Sequence, residues 1–243
     1  MIENMLEKTY EVKSSDVNFN NELKPNAMFH ILEDVAYINA ESYGFGFSDV
    51  YSKGLAWFVI KYRLKFFEKI NSWEEIKVLT WPVISSGITC RRDFKIQKEN
   101  GKDAMVASSL WVMIDINKKR PIIPYKVLEF PKLTETTAFD ADFDKVPTIE
   151  RIDKTQNIKI MYDDIDLNGH VNNSNYIKWA LESLNVEFIK EKSIKGIDID
   201  YKKEATLENQ EVEIQTQIEN GYTLHNLKSG ENIEHATIKI YWE

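Results

Sequence analysis

One cysteine, Cys90, stands in a chain of 243 residues, which excludes an intramolecular disulfide and a cysteine-rich metal site. Only Arg91 and Arg92 beside it would favour a thiolate, so Cys90 reads as a small strand residue rather than a nucleophile. No run approaches the roughly 20 apolar residues that span a bilayer, and the start, Met1 to Lys8, lacks the basic and apolar regions of a secretory signal. A cytoplasmic protein without a membrane span is the expectation. Positive charge is also short: a formal net charge of −8 disfavours nonspecific binding to nucleic acid, which needs a basic face to neutralise phosphates. An acidic partner would have to meet a local basic patch. The reading calls for neither cofactor nor metal.

What the chain does have is hydrophobic content of 43%, enough for one large domain or two compact ones, each with a core. Residues 25–43 read as a helix. Pro25 suits a first helical position, apolar residues recur at Met28, Ile31, Leu32, Val35 and Ala36, and Gly44 ends the run. From Trp57 to Asp115 the pattern is of strands: Trp57 to Ile60, Ile76 to Trp81, Arg91 to Ile96 and Ala107 to Ile114. The pairs Asn71-Ser72 and Asn100-Gly101 suggest antiparallel hairpins.

Residues 128–155 are polar, with Pro131, Pro147 and several Asp, and fit a connecting segment. The expected division is an N-terminal domain over 1–130, a linker over 131–149 and a C-terminal domain over 150–243. The second half repeats the order of the first. A helix near 173–185 carries Tyr176, Ile177, Ala180, Leu181 and Leu184 on one face, and strands follow to the end. Glu75-Ile-Lys-Val-Leu-Thr matches Glu211-Val-Glu-Ile-Gln-Thr in pattern, and at the same spacing Glu68 falls on Glu204. Two α+β units follow, each an antiparallel sheet covering a central helix. Pattern alone also allows one large mixed sheet with two helices on one side.

The most unusual segment is Tyr162-Asp-Asp-Ile-Asp-Leu-Asn-Gly-His-Val-Asn-Asn. It puts Asp166, Asn168 and His170 at alternate positions, on one side if the backbone is extended. A carboxylate, an amide and an imidazole so placed can orient a carbonyl, position a water and move a proton near neutral pH. Hydrolysis of an ester-like bond is a natural use. The same residues also read as turn and cap chemistry, with Asn172, Asn173 or Ser174 starting the helix and Gly169 making the bend. A helix starting there would offer the N–H groups of Val171 to Ser174 to a developing negative charge. His30, His225 and His235 lack acidic and amide companions and read as packed or exposed. Strand alternation puts Asp198, Asp200, Lys202 and Glu204 on one face, and Glu204, taken by itself, reads as a solvated charge. Basic and aromatic residues interleave at Lys61 to Phe67, Arg91 to Phe94, Lys118 to Arg120 and Tyr201 to Lys203, as solvated faces or as a docking patch for an acidic carrier.

The stretch from Asp166 to Ser183, with Tyr201-Lys-Lys-Glu, resembles the acyl-acyl-carrier-protein thioesterases of plants and bacteria. The likeness extends to Trp81, Gly87, Arg91-Arg-Asp-Phe and Ser108-Ser-Leu-Trp-Val-Met, and so covers most of the chain. It implies two tandem hotdog domains, the first holding the acyl chain and the second the catalytic residues Asp166, Asn168, His170 and Glu204. It implies hydrolysis of fatty acyl thioesters on acyl carrier protein, and the reading allows a homodimer. Plant members carry a cysteine after the glutamate, where this chain has Ala205, so water is the expected nucleophile, with Glu204 and His170 as general bases. Attack by a carboxylate through a mixed anhydride is the other route. A shorter form of the motif resembles single-hotdog acyl-CoA thioesterases, in which the aspartate matching Asp166 acts at the thioester. Acyl-CoA hydrolysis and a non-catalytic acyl-binding role are therefore the rival functions.

Overall fold

The computed structural model describes Ile2 and residues 4–243. The chain divides into two compact units, one of residues up to 23 with 30–142, the other of 24–29 with 143–243. Strands β1 (Leu6–Glu11), β2 (Leu55–Phe66), β3 (Glu75–Val83), β4 (Thr89–Lys98), β5 (Asp103–Asp115) and β6 (Arg120–Ile122) belong to the first. Strands β7 (Lys154–Lys159), β8 (Ile194–Tyr201), β9 (Glu211–Glu219), β10 (Tyr222–Ser229) and β11 (Ile233–Trp242) belong to the second. Four helices accompany them: α1 (Pro25–Glu41), α2 (Phe47–Ser52), α3 (Asn173–Glu182) and α4 (Val186–Glu191).

In the first unit the sheet runs β1-β3-β4-β5-β2, with β6 paired to β5, and in the second β7-β9-β10-β11-β8. Among the described residues each of these ladders between named strands is antiparallel. Counted within each unit, both orders are 1-3-4-5-2, so the second sheet repeats the first apart from β6. The matched sequences Glu75 to Thr80 and Glu211 to Thr216 open β3 and β9, the third strand of each. Glu68 and Glu204 lie in the equivalent connections just before them.

The helices follow from spacing. In α1 the buried residues are Met28, Phe29, Leu32, Val35, Ala36 and Asn39, a stripe at helical intervals. Asn39 accepts a hydrogen bond from Arg92 of β4, which places the second half of the stripe on the first sheet. Ile31 is only partly covered. Helix α3 buries Tyr176, Ile177, Trp179 and Ala180 and lies over β9, β10 and β11. It stops at Glu182, and a short α4 follows where one continuous run to 185 was expected. The Ser183 hydroxyl donates to Ala180 C=O and meets Thr216 of β9 at 2.9 Å, which ties the helix end to the sheet.

The Asn100-Gly101 turn is a hairpin joining β4 and β5, with Gly101 at φ +79. Asn71-Ser72 is not a hairpin, because β2 pairs with β5 and β3 with β1 and β4. The pair lies in a connection that passes Trp73 at φ +67. Among the described residues no helix is long and apolar enough to cross a membrane.

Candidate active site

Asp166, Asn168 and His170 sit on one tight loop closed by an isolated bridge between Ile165 and Val171. Inside it Asp166 N–H donates to His170 C=O at 2.8 Å, and Gly169 N–H donates to Asp166 C=O at 3.1 Å. The chain therefore turns, with Gly169 at φ +80, a left-handed conformation glycine adopts without steric conflict. The extended backbone expected for alternate positions is absent: the Asp166 side chain nucleates a turn instead. Its Oδ1 accepts from Asn168 N at 2.8 Å and His170 N at 3.2 Å, and its Oδ2 accepts from Asn168 Nδ2 at 3.3 Å. The turn reading holds for the backbone, and the three residues lie on the same loop.

Glu204 arrives from another part of the second unit. Strand β8 ends at Tyr201, so Glu204 lies beyond the regular alternation expected to carry it. Its Oε1 is 3.1 Å from His170 Nδ1, with both side chains partly covered. Glu204 remains exposed, as expected of it alone, yet it also meets His170, because the connection after β8 folds back onto the turn. Val171 N–H donates to Ala205 C=O at 2.8 Å, and Ala205 N–H donates to Tyr176 Oη at 3.0 Å. The residues following His170 and Glu204 are thus joined through their backbones. Such long-range pairing leaves no trace in spacing.

Burial is the main influence on Glu204 and raises its pKa; the imidazolium form of His170 opposes this and Asp166 adds to it. With Glu204 facing Nδ1, the neutral imidazole places its proton on Nδ1 and leaves Nε2 as the basic atom. Nε2 has no hydrogen-bond partner among the described residues. This arrangement can take a proton from a water. Asp166 is poorly placed to attack a carbonyl itself, since both carboxylate oxygens already accept hydrogen bonds from the loop.

The helix starts at one of the expected caps, but fewer of its amides are free than expected. Asn172 is the cap, its side chain accepting from Ser174 N, while Val171 N–H goes to Ala205 C=O and Asn172 N–H to Asp164 C=O. Of the four amides expected to face a developing charge, three are engaged and only that of Asn173 has no acceptor among the described residues. Asn175 Nδ2 also donates to Asp164 C=O, so the cap and the turn before it form one hydrogen-bonded block.

Two of the other three histidines are buried. His225 is fully buried among Thr216, Thr223 and Ser183, and burial lowers its pKa to about 3. His235 is buried too, whereas His30 is exposed. Cys90, in β4, has its thiol pKa pushed up to about 11 by burial. Among the described residues no cluster of His, Cys, Asp or Glu could hold a metal ion.

In two of the interleaved basic stretches the arginines are engaged internally. Arg91 pairs with the buried Asp93 at 2.8 Å. Arg92 turns inward to Asn39 and Thr80, where burial lowers its pKa to about 10. Arg63 is buried and donates to Asp142 C=O. Lys118, Lys119 and Arg120 stay exposed, around the tip between β5 and β6.

A family model described as the acyl-ACP thioesterase N-terminal domain matches residues 3–127, and one described as the acyl-ACP thioesterase C-terminal domain matches residues 149–243. An oleoyl-acyl carrier protein thioesterase of Arabidopsis thaliana is 27% identical over 214 residues, 79% of this chain and 58% of the relative. A palmitoyl-acyl carrier protein thioesterase of the same plant is 31% identical over 179 residues, 66% of this chain and 41% of the relative. The chain spans about half the length of the curated relatives it matches. Among solved structures, an acyl-ACP thioesterase from Bacteroides thetaiotaomicron superposes with a TM-score of 0.84 at 21% identity, covering 99% of this chain and 98% of that one. A 12:0-ACP thioesterase from Umbellularia californica gives 0.85 at 18% identity, covering 100% and 98%. At these identities the likeness concerns the fold, which is the expected α+β arrangement of two tandem hotdog domains. Because two consecutive family models together match most of its residues in order, the chain belongs to the acyl-ACP thioesterase family.

Proposed function

We propose that this protein hydrolyses fatty acyl thioesters of acyl carrier protein, releasing free fatty acid, with water as nucleophile. The observation that carries the reading is the 3.1 Å contact between His170 Nδ1 and Glu204 Oε1, in a member of a family whose relatives are named for this reaction. Glu204 holds the imidazole with Nδ1 protonated, and His170 Nε2 removes a proton from water as it attacks the thioester carbonyl. The resulting imidazolium, stabilised by the Glu204 carboxylate, then protonates the departing thiolate. Asp166 and Asn168 act by fixing the turn that aims His170. The Asn173 N–H is the helix-terminal donor left for the carbonyl oxygen as charge develops on it. Neither metal nor cofactor enters these steps.

Residues 150–243 form the catalytic domain in this reading, 1–130 the domain that holds the acyl chain, and 131–149 the linker. The thiol of plant relatives has no counterpart, since Ala205 is fully buried and Cys90 lies in the first unit. The test is hydrolysis by the purified protein across chain lengths, on acyl-carrier and acyl-CoA thioesters in parallel, read as free thiol released. Faster turnover of carrier thioesters supports the proposal. Preference for CoA thioesters moves the assignment to an acyl-CoA thioesterase, and inertness toward both leaves an acyl-binding protein.

A further inference from the structure

Glu204 has no strand ladder to hold it. After β8 the backbone makes two more hydrogen bonds to β11, Lys202 N–H to His235 C=O at 2.8 Å and Lys203 N–H to Glu234 C=O at 3.3 Å, and then departs. A carboxylate meant to meet an imidazole at one atom needs its backbone fixed within a fraction of an ångström. The peptide units on either side of Glu204 each meet a buried side chain. On one side Lys203 C=O accepts from His235 Nδ1 at 2.7 Å. Because a carbonyl only accepts, Nδ1 carries the proton and Nε2 accepts the Ser229 hydroxyl at 2.7 Å. Ser229 Oγ in turn accepts from Asn209 Nδ2 at 3.0 Å, and Asn209 Oδ1 accepts from Thr206 N–H at 2.8 Å. The chain of bonds runs from Lys203 to Thr206 and so spans Glu204. On the other side Ala205 N–H donates to Tyr176 Oη at 3.0 Å. His235, Ser229 and Tyr176 are 1%, 4% and 2% exposed.

We propose that His235 and Tyr176 are positioning residues for Glu204, clamping the two peptide units that flank it so that its carboxylate stays against His170. The proposal rests on the roles assigned above to His170 and Glu204. Neither residue touches substrate. Burial lowers the pKa of His235, which keeps its Nε2 unprotonated for the Ser229 hydroxyl. Burial, with the nearby charges of Glu204 and Asp166, raises that of Tyr176, which keeps the phenol neutral. The buried groups therefore hold fixed hydrogen-bonding roles around neutral pH, as a clamp requires. Elsewhere the connection is exposed at Lys202, Lys203, Leu207 and Glu208, and its other anchors, Val171 N–H to Ala205 C=O and the Lys202 and Lys203 N–H groups to β11, engage neither the Lys203 carbonyl nor the Ala205 N–H beside Glu204.

The test combines a readout of Glu204 itself with kinetics. In protein labelled at glutamate carboxyl carbons, the Glu204 titration is followed by NMR in the parent, His235→Ala, His235→Asn and Tyr176→Phe. Released from the clamp, Glu204 swings toward water, and its pKa falls toward the ordinary 4.5 in His235→Ala and in Tyr176→Phe. His235→Asn keeps a donor within reach of Lys203 C=O and restores the parent titration. On the best thioester substrate kcat drops about tenfold in His235→Ala, KM stays within about twofold, and the Asn variant recovers most of the loss. A folded His235→Ala with the parent's Glu204 titration and kcat overturns the proposal, as does an Asn variant no better than the Ala one. If His235→Ala does not fold, Tyr176→Phe and Ser229→Ala decide by the same two readouts. Should the parent hydrolyse no acyl thioester, the functional reading fails while the titration still decides the positioning.

Discussion

At the scale of single residues the site rests on an opposition between burial and charge at Glu204. A carboxylate whose folded pKa is raised destabilises the fold once ionised: its penalty is absent below the unfolded value of 4.5 and grows as pH rises through the folded value. Glu204→Gln is therefore expected to be more stable than the parent at pH 7 and equal to it at pH 4, measured by urea unfolding. A parent more stable than the Gln variant at pH 7 contradicts the raised pKa of Glu204. Cys90 supplies the opposite check. Its thiol stays protonated at neutral pH, held at about 11 by burial, and no role is left for it. Cys90→Ser should keep the parent's turnover, and an alkylating reagent should leave the folded parent active; loss of activity without unfolding would show a role for the thiol.

At the scale of elements the fold was legible where patterning is strong and silent where it is weak. The stripe of α1, the strands β2 to β5 and the hairpin at Asn100-Gly101 follow from periodicity and turn chemistry. The likeness of Glu75 to Thr80 and Glu211 to Thr216 marked the same strand in both halves. The short strands β1 and β7 escaped notice because their burial merely alternates or is low, as befits strands at the end of a sheet order. In the site, Asp166, Asn168 and His170 were legible both as an alternating group and as a turn bent at Gly169, and spacing alone does not choose between the two, since it fits a strand and a loop equally. The Glu204 contact came only through family likeness, and Tyr176 and His235 passed as core residues because their polar atoms meet backbone groups far along the chain. The turn itself is testable. A Cβ at Gly169 meets nothing within 4 Å, so Gly169→Ala probes only the φ of +80, at about 1 kcal/mol. Thermal melts should show that loss together with a lower kcat, while an unchanged kcat would mean the turn does not aim His170. Removing the helix cap by Asn172→Ala should lower stability by about 1 kcal/mol as well, with no loss in the melt contradicting the cap assignment.

At the scale of the whole molecule, a chain of net charge −8 that binds an acidic carrier must do so through a local basic surface. Arg91, Arg92 and Arg63 are engaged internally, and exposed bases remain at the tip of Lys118, Lys119 and Arg120, at Lys65 and at Lys202 and Lys203; the tip is the densest of them. Lys118 is 62% exposed and shares only a surface pair with Asp115, the kind that contributes little to stability. Reversing Lys118 and Lys119 to Glu is expected to raise KM severalfold for carrier thioesters and less for CoA thioesters. The difference should shrink with added salt as screening shortens the reach of exposed charge to about 8 Å. Equal effects on both substrates would remove this tip from carrier binding. The central claim, that His170 and Glu204 act as one unit, is tested most directly by a double-mutant cycle on kcat with His170→Ala, Glu204→Gln and the pair together. If they share one proton transfer, His170→Ala loses about 10²- to 10⁴-fold, and adding Glu204→Gln slows it no further. Losses that multiply, or a folded His170→Ala that turns over like the parent, would contradict the account.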